Sequence, residues 1–334
     1  MGKYREDVVV SSRVRLARNM DDTSFKERLG PSLGKKLASE VYGALGGEKA
    51  GYALIDLASG DPIDGRVLKE KRLISEDLLA NKHSGAVVLN EEETVSVMVG
   101  EEDHIRIQSI LSGFTIAECY EVANKLDDAI AKKVPFAFHD RLGFLTTCPT
   151  NLGTGLRASA MMFLPALSIY NSLSDCVNAI SRLNMAIRGV YGEGSESSGY
   201  LYQLSNQLTL GLSEQEILDS VTTSVLRIEE AELQARDLLF KEGGAGFKDK
   251  IGRALGILLH AYKLESAEFM QAMALTKLGA YYGLITIGDM QVFERLMIDV
   301  QPASLQTISG KPLKPEERDI FRAKYVSQIL KTIM

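Results

Sequence analysis

The period of the apolar residues changes at Gly243-Gly244-Ala245-Gly246, and that change constrains the fold more than any single motif. Before it, from residue 8 to about 210, short β-rich runs at 8–10, 86–89, 94–99, 144–147 and 183–190 alternate with helical spacing, which reads as α/β or α+β. Residues 213–241 then carry Ile217, Val221, Val225, Ile228, Leu238 and Leu239 at helical spacing up to the glycines. Beyond them only helical spacing is found. Ile251, Leu255, Leu258, Leu259 and Tyr262 share one face, similar runs cover 269–282 and 289–299, and Pro315 before Glu316 and Glu317 opens a last helix. A chain of 334 residues holds about two domains, so a mixed domain is expected at 1–242 and an all-helical one at 247–334.

A formal net charge of -6 argues against broad binding to nucleic acid or an anionic membrane, because both need a basic surplus. Cys119, Cys148 and Cys176 form no CxxC pair and suit free thiols in a reducing cytoplasm. The start, Met1-Gly2-Lys3-Tyr4-Arg5-Glu6, has no apolar run behind its charges, and Glu6 stands where a myristoylation signal has Ser or Thr. Residues 158–170, the most apolar stretch, are too short for a membrane span and contain Pro165. A soluble, cytoplasmic protein is expected. His83, His104, His139 and His260 show no metal-ligand spacing.

Two nucleotide motifs come close and fail. In Gly30-Pro31-Ser32-Leu33-Gly34-Lys35-Lys36 the glycines are one residue too close for a phosphate loop, and Lys36 replaces the Ser or Thr that would hold magnesium. Gly153-Thr154-Gly155-Leu156-Arg157-Ala158 fits a GxGxxA dinucleotide fingerprint with Asp175 as a ribose ligand, which makes a nucleotide-dependent oxidoreductase a remote alternative. Pro149 and Asn151 separate those glycines from the preceding strand.

Four other segments carry chemistry. Arg13 and Arg15 alternate after the first strand; if it continues they project from one face, either as two forks for a polyphosphate or as a basic edge. Glu101-Glu102-Asp103 follows the run at 94–99. Three adjacent carboxylates repel one another and belong on a solvated turn or beside a neutralising cation. Residues 144–160 read as a strand, a Cys148-Pro149 turn, a glycine-rich loop and a helix with Arg157 in its first turn, where backbone N–H groups favour an anion. Cys148 is either an activated thiol or a small core residue. Residues 188–199, with four glycines, one arginine and two acids, read as a mobile lid or a plain surface loop.

Taken in order, the blocks SSRVRLARN, EEDHIRIQ, TTCPTNLGTGLRA, RGVYGEGSE and YQLSNQLTLG resemble the phosphagen (guanidino) kinase family, most closely its bacterial protein-arginine-kinase branch. The resemblance implies an α+β fold: a phosphagen-kinase (glutamine-synthetase-like) catalytic domain with a mainly antiparallel sheet flanked by helices, plus an all-α C-terminal domain that dimerises. It implies an ATP:protein-L-arginine phosphotransferase in which Glu102 and Glu193 hold the substrate guanidinium and Cys148 lies beside the reacting nitrogen. ATP would be bound by Ser11, Ser12, Arg13, Val14, Arg15, Arg72, Arg106, Arg157, Ala158, Ser159, Ala160, Met161, Arg188, Gly189, Val190, Tyr191 and Gly192. Mg2+ would be held through the nucleotide, with no protein metal site. The chemistry is consistent: two carboxylates can orient a guanidinium and take its proton, and arginines with Mg2+ can stabilise the transferring phosphoryl group.

Family members that act on free guanidines carry a helical domain of about a hundred residues before the catalytic one, whereas ten residues precede Ser11 here. A pocket open on one side, suited to arginine within a protein, is expected. Gly100 stands where the family usually has Asn, and Arg72 where it commonly has His. In the tail, Arg318-Asp319-Ile320-Phe321-Arg322-Ala323 is similar to the RDxxRA motif of that branch. It implies phosphoarginine binding by Arg318, Asp319, Arg322 and Ala323, with both arginines reaching one phosphate from one helix face. The resemblance further implies a bacterial stress response, with marked proteins passed to the ClpC/ClpP protease, a CtsR-like repressor as substrate and an McsA-like activator. A non-catalytic phosphoarginine-binding adaptor is the alternative on the same fold.

Overall fold

A computed structural model describes residues 8–25, 29–181, 183–190 and 197–334. Its strands are β1 (Val9–Arg18), β2 (Tyr52–Asp56), β3 (Ala86–Asn90), β4 (Val95–Val99), β5 (Ile105–Ser112), β6 (Phe138–His139), β7 (Gly143–Phe144), β8 (Leu156–Phe163), β9 (Met185–Gly189) and β10 (Leu201–Asn206). Eight of them form one antiparallel sheet in the order β2-β3-β4-β5-β1-β8-β10-β9, and β6 pairs with β7 apart from it. The helices of the first part are α1 (Pro31–Ala44), α2 (Pro62–Glu70), α3 (Glu76–Ala80), α4 (Ile116–Ala131), α5 (Pro165–Ile169), α6 (Leu173–Ser181) and α7 (Glu214–Glu242). After α7 the chain is helical among the described residues: α8 (Gly244–His260), α9 (Ser266–Tyr281), α10 (Met290–Asp299), α11 (Pro302–Ser309) and α12 (Pro315–Ile333).

Side-chain alternation decides how these elements pack. Val14, Leu16, Ile105, Ile107, Leu156, Ala158, Ala160, Met162 and Leu204 lie on one face of the sheet and are buried beneath α1, α4, α5 and α7. The opposite face carries Arg13, Arg15, Arg106, Gln108, Arg157, Ser159, Gln203 and Ser205 in register across neighbouring strands. Two apolar clusters cover only the ends of that polar face. At one end Leu68, Leu73 and Leu78 pack on Val87, Leu89 and Met98; at the other Phe163 and Leu201 pack on Phe269, Met270 and Met273 of the C-terminal helices. Between them the arginines face open space.

The α+β class, the long helix into the glycine cluster, the strand-free tail and the start of α12 at Pro315 agree with the sequence reading. A Ser213–Glu216 capping box begins α7. One assignment is overturned. Residues 156–163 form β8, not a helix, so Arg157 is a mid-sheet residue rather than a helix-end one. Ala, Leu and Met favour a helix in isolation, but here polar side chains at 157 and 159 alternate with apolar ones at 156, 158, 160 and 162, and pairing on both edges outweighs propensity. Gly155 makes the entry possible: its φ is +65, and a Cβ there would come 2.6 Å from Ala17 O. The strand read at 144–147 shrinks to its first residue, in β7, because Thr147 N donates to Asp103 instead of to a sheet.

The buried Glu232–Arg236 pair ties α7 to the sheet. Glu232 accepts from Arg236 Nε at 2.8 Å and from Ala166 N and Leu167 N at 3.1 and 3.0 Å, while Arg236 Nη2 donates to Phe163 O at 3.1 Å. Burial pushes the Glu232 carboxyl up and Arg236 opposes it. Arg236→Met leaves that carboxylate buried without a countercharge, so a loss of about 3 kcal/mol is expected, read as a lower urea midpoint at neutral pH.

Candidate active site

Strand pairing gathers arginines that lie far apart in the chain. Arg15 lies directly opposite Arg157, Ala17 opposite Arg106, Arg13 opposite Ser159, and Gln203 opposite Arg188. Arg72, just after α2, joins them in a left-handed conformation (φ 64), with its carbonyl accepting from Gln108 Nε2 at 2.9 Å. Arg13, Arg15, Arg72, Arg157, Arg188, Gly189, Val190, Gln203 and Ser205 line a cleft of about 510 Å³.

The cluster is electrostatically uncomfortable. Burial, then Arg72, Arg157 and Arg106, push Arg13 down from its ordinary guanidinium value to about 9. Burial followed by Arg13, Arg106 and Arg157 does the same to Arg15, with Glu101 opposing. Arg157 is lowered by burial, Arg188 and Arg106, with Cys148 opposing. The Nε atoms of Arg15 and Arg157 are buried without a hydrogen-bond partner. Buried donors and crowded like charges are both costly, and a polyanion relieves both.

The acidic turn beside this cleft splits its three carboxylates. Glu101 is buried and paired with Arg106 Nη1; Asp103 is buried and accepts from Asn19 Nδ2 at 2.8 Å and Thr147 N at 2.7 Å. Glu102 alone turns outward, 38% exposed, with Oε2 3.4 Å from Arg106 Nη2. Burial raises its pKa above the usual 4.5, Arg106 opposes, and Asp103, Glu101 and Asp77 add to the rise. It lines a second cleft of about 250 Å³ with Arg15, Ala17, Asp77, Arg106, Cys148, Thr150, Asn151, Gly155 and Arg157. Arg15 and Arg157 thus border both clefts. Gly100 fits its turn: its φ is +79, a Cβ would come 2.9 Å from Ser84 O, and its carbonyl accepts from Asn81 Nδ2 at 2.7 Å.

Comparison with known proteins decides what this arrangement is. Residues 34–235 match the ATP:guanido phosphotransferase C-terminal catalytic domain, and residues 245–334 match the protein-arginine kinase McsB C-terminal domain. This chain belongs to the ATP:guanido phosphotransferase family. A protein-arginine kinase of Caldanaerobacter subterraneus subsp. tengcongensis is 42% identical over 331 residues, 98% of each chain. One from Geobacillus thermodenitrificans is 43% identical over 330 residues, 97% of this chain and 91% of that one. A lombricine kinase structure aligns with a TM-score of 0.60 and 25% identity, covering 71% of this chain and 68% of its own. The duplicated taurocyamine kinase from Schistosoma mansoni shares the fold, with a TM-score of 0.61 at 24% identity over 92% of this chain and 47% of its own.

Not every expected site residue of this phosphotransferase faces the clefts. Ser11 borders a groove of about 1030 Å³ between the sheet and α10, with Arg72 and Met161; Arg72 Nη1 lies 2.7 Å from Met161 Sδ. Ser12 points the other way, donating to Gly113 O at 2.8 Å and accepting from Thr115 N at 2.9 Å. Val14, Ala158 and Ala160 are in the apolar core, so only their backbone is near the arginines. Strand parity is the reason: residues beside Arg13, Arg15 and Arg157 point to the opposite face. Ser159 is buried on the arginine face, its Oγ donating to Arg13 O at 3.4 Å. Cys148 is in the smaller cleft, 3.0 Å from Thr150 Oγ1. Tyr191, Gly192 and Glu193 lie outside the described residues.

In α12, Arg322 turns inward rather than beside Arg318. It is 1% exposed and donates to Leu264 O at 2.7 Å, Val300 O at 3.2 Å and Asp319 Oδ1 at 2.7 Å, while Ala323 is in the core. The GxGxxA run leads into β8, which removes the helix N-terminus that a dinucleotide fingerprint requires. Lys35 pairs with Asp56 and Lys36 with Glu40, and neither lines a cleft. Sequence reasoning passed over Glu101, Asp77, Thr150, Asn151 and Gln203. The acids at 101 and 103 were visible as a run, but which of the three faces the cleft depends on Arg106 and Asn19.

Proposed function

We propose that the chain transfers the γ-phosphoryl group of ATP to arginine side chains of proteins. The observation that carries this reading is the sharing of Arg15 and Arg157 by two clefts, one lined by arginines with no acid among its described residues and one that adds Glu102, Asp77 and Cys148. Similar chains of comparable length bear the name protein-arginine kinase. The phosphates lie along Arg13, Arg15, Arg72, Arg157 and Arg188, and the adenosine extends past Ser11 and Met161. The acceptor guanidinium lies against Glu102, with Glu193 as its second carboxylate and Cys148 beside the attacking nitrogen.

That nitrogen attacks Pγ, the N–P bond forms as the Pγ–O bond to the β-phosphate breaks, the nitrogen's proton passes to Glu102, and ADP leaves. Among the described residues no three His, Cys, Asp or Glu side chains converge on a metal position. Mg2+ would enter with the nucleotide and would supply positive charge to the leaving group.

The reading includes a catalytic domain at 1–242 and a helical domain at 247–334 that dimerises and binds phosphoarginine through Arg318, Asp319, Arg322 and Ala323. Because Arg322 is held by Asp319 and two carbonyls, a phosphate there requires it to exchange partners. Its cytoplasmic setting includes ClpC/ClpP proteolysis, a CtsR-like repressor and an McsA-like activator. Incubation with γ-labelled ATP, Mg2+ and an arginine-containing protein is expected to give acid-labile protein phosphate. No transfer with or without an activator overturns the kinase reading, and nucleotide binding without transfer favours the adaptor.

A further inference from the structure

Asp77 enters the smaller cleft from an element unrelated to the acidic turn. It is the second residue of α3, whose start is capped by Ser75 Oγ accepting from Leu78 N at 3.1 Å, and Leu78 is buried against β3 and β4. At the other end of α3, Asn81 Nδ2 donates to Gly100 O at 2.7 Å, immediately before Glu101 and Glu102. The helix bearing Asp77 and the turn bearing Glu102 are thus fastened together, with Asp77 close enough to raise the Glu102 pKa.

The charges lining this cleft give Asp77 a specific task. Among the described residues that line it, Arg15, Arg106 and Arg157 are cationic and Asp77 and Glu102 are anionic. Without Asp77 only Glu102, already engaged with Arg106, and the Glu193 of the proposed clamp would offset three guanidiniums, and a cationic acceptor would be held less firmly at the place where it must react. A guanidinium also presents five N–H donors, one more than two bidentate carboxylates take.

Resting on the arginine-kinase reading, we propose that Asp77 is a substrate-binding residue whose carboxylate takes an N–H of the acceptor guanidinium that Glu102 and Glu193 leave free, and so selects a cationic acceptor. The position serves the acceptor and not the nucleotide, because Asp77 does not line the larger, arginine-rich cleft.

The test is steady-state kinetics on the full chain with an arginine-containing protein, for wild type, Asp77→Asn, Asp77→Glu and Glu76→Gln. Glu76 is the exposed neighbour in the same helical turn, paired with Lys69 and outside the cleft, so its variant removes the same charge without touching the site. Asp77→Asn is expected to raise KM for the protein acceptor about tenfold, to leave KM for ATP and kcat at saturating acceptor within about twofold, and to be partly rescued in Asp77→Glu. An unchanged acceptor KM, an equal rise in Glu76→Gln, or a parallel rise in KM for ATP overturns the proposal. Calorimetric binding of N-acetylarginine methylamide reads the same contact without turnover. Wild type that binds this probe more tightly than Asp77→Asn yet transfers no phosphate sinks the kinase reading and leaves the Asp77 assignment standing; equal binding by both proteins sinks the assignment itself.

Discussion

Glu102→Gln is expected to lower phosphoryl transfer to a protein acceptor about 10³-fold. The amide keeps the shape of the side chain but loses the charge that holds a guanidinium and the basicity that takes its proton. Glu101 cannot substitute, because it is buried and committed to Arg106. The fold should be untouched: Glu102 is partly exposed and its ion pair with Arg106 is long. Circular dichroism and the thermal midpoint should match wild type. Since burial raises the Glu102 pKa above 4.5, the carboxylate is lost as pH falls through that raised value, and the acid limb of kcat/KM should lie above pH 4.5 and be missing from the variant's residual activity. Transfer within tenfold of wild type would remove Glu102 from the mechanism.

Arg157→Ala is expected to lower kcat roughly 10³-fold, the scale for a preorganised cation on a transferring phosphoryl group. Arg157→Lys should restore little, because an ammonium cannot reproduce the planar fork that borders both clefts. The effect on stability has the opposite sign. Arg157 is held with a depressed pKa by burial and by Arg188 and Arg106, and its Nε has no partner, so its charged form opposes folding while no anion is bound. Thermal unfolding without nucleotide should give Arg157→Ala a midpoint equal to or above wild type, and the upward shift caused by ATP should shrink. A midpoint several degrees lower would mean that Arg157 is structural, and near-normal turnover would mean that the cluster serves another purpose.

The comparison of Arg13, Arg15 and Arg18 shows how far the sequence could be read. Alternation along β1 places Arg13 and Arg15 on one face and sends Arg18 to the other, where it is buried in a pair with Asp127 at 2.9 Å. That separation needs only the strand period. The change from mixed to all-helical structure was legible for the same kind of reason: apolar spacing changes from mixed to purely helical, and local signals such as Pro315 and the Ser213–Glu216 box set element ends without distant partners.

Other features depended on contacts no local pattern encodes. Residues 156–163 have helix-favouring composition and become a strand because β1 and β10 pair on either side. That pairing brings Arg157 opposite Arg15 and turns Ala158 and Ala160 into core residues. Asp77 gave no signal, since an acid in the first turn of a short helix is ordinary until Leu78 and Asn81 fasten that helix beside Glu102. The sequence by itself determined the change from mixed to all-helical structure, the facing of Arg13 and Arg15 and the chemistry available at each block, because these rest on periodicity and side-chain type. Only the tertiary structure decided which arginines meet, which of three adjacent acids reaches the cleft and which way Arg322 turns, because strand register and burial are set by residues far away along the chain.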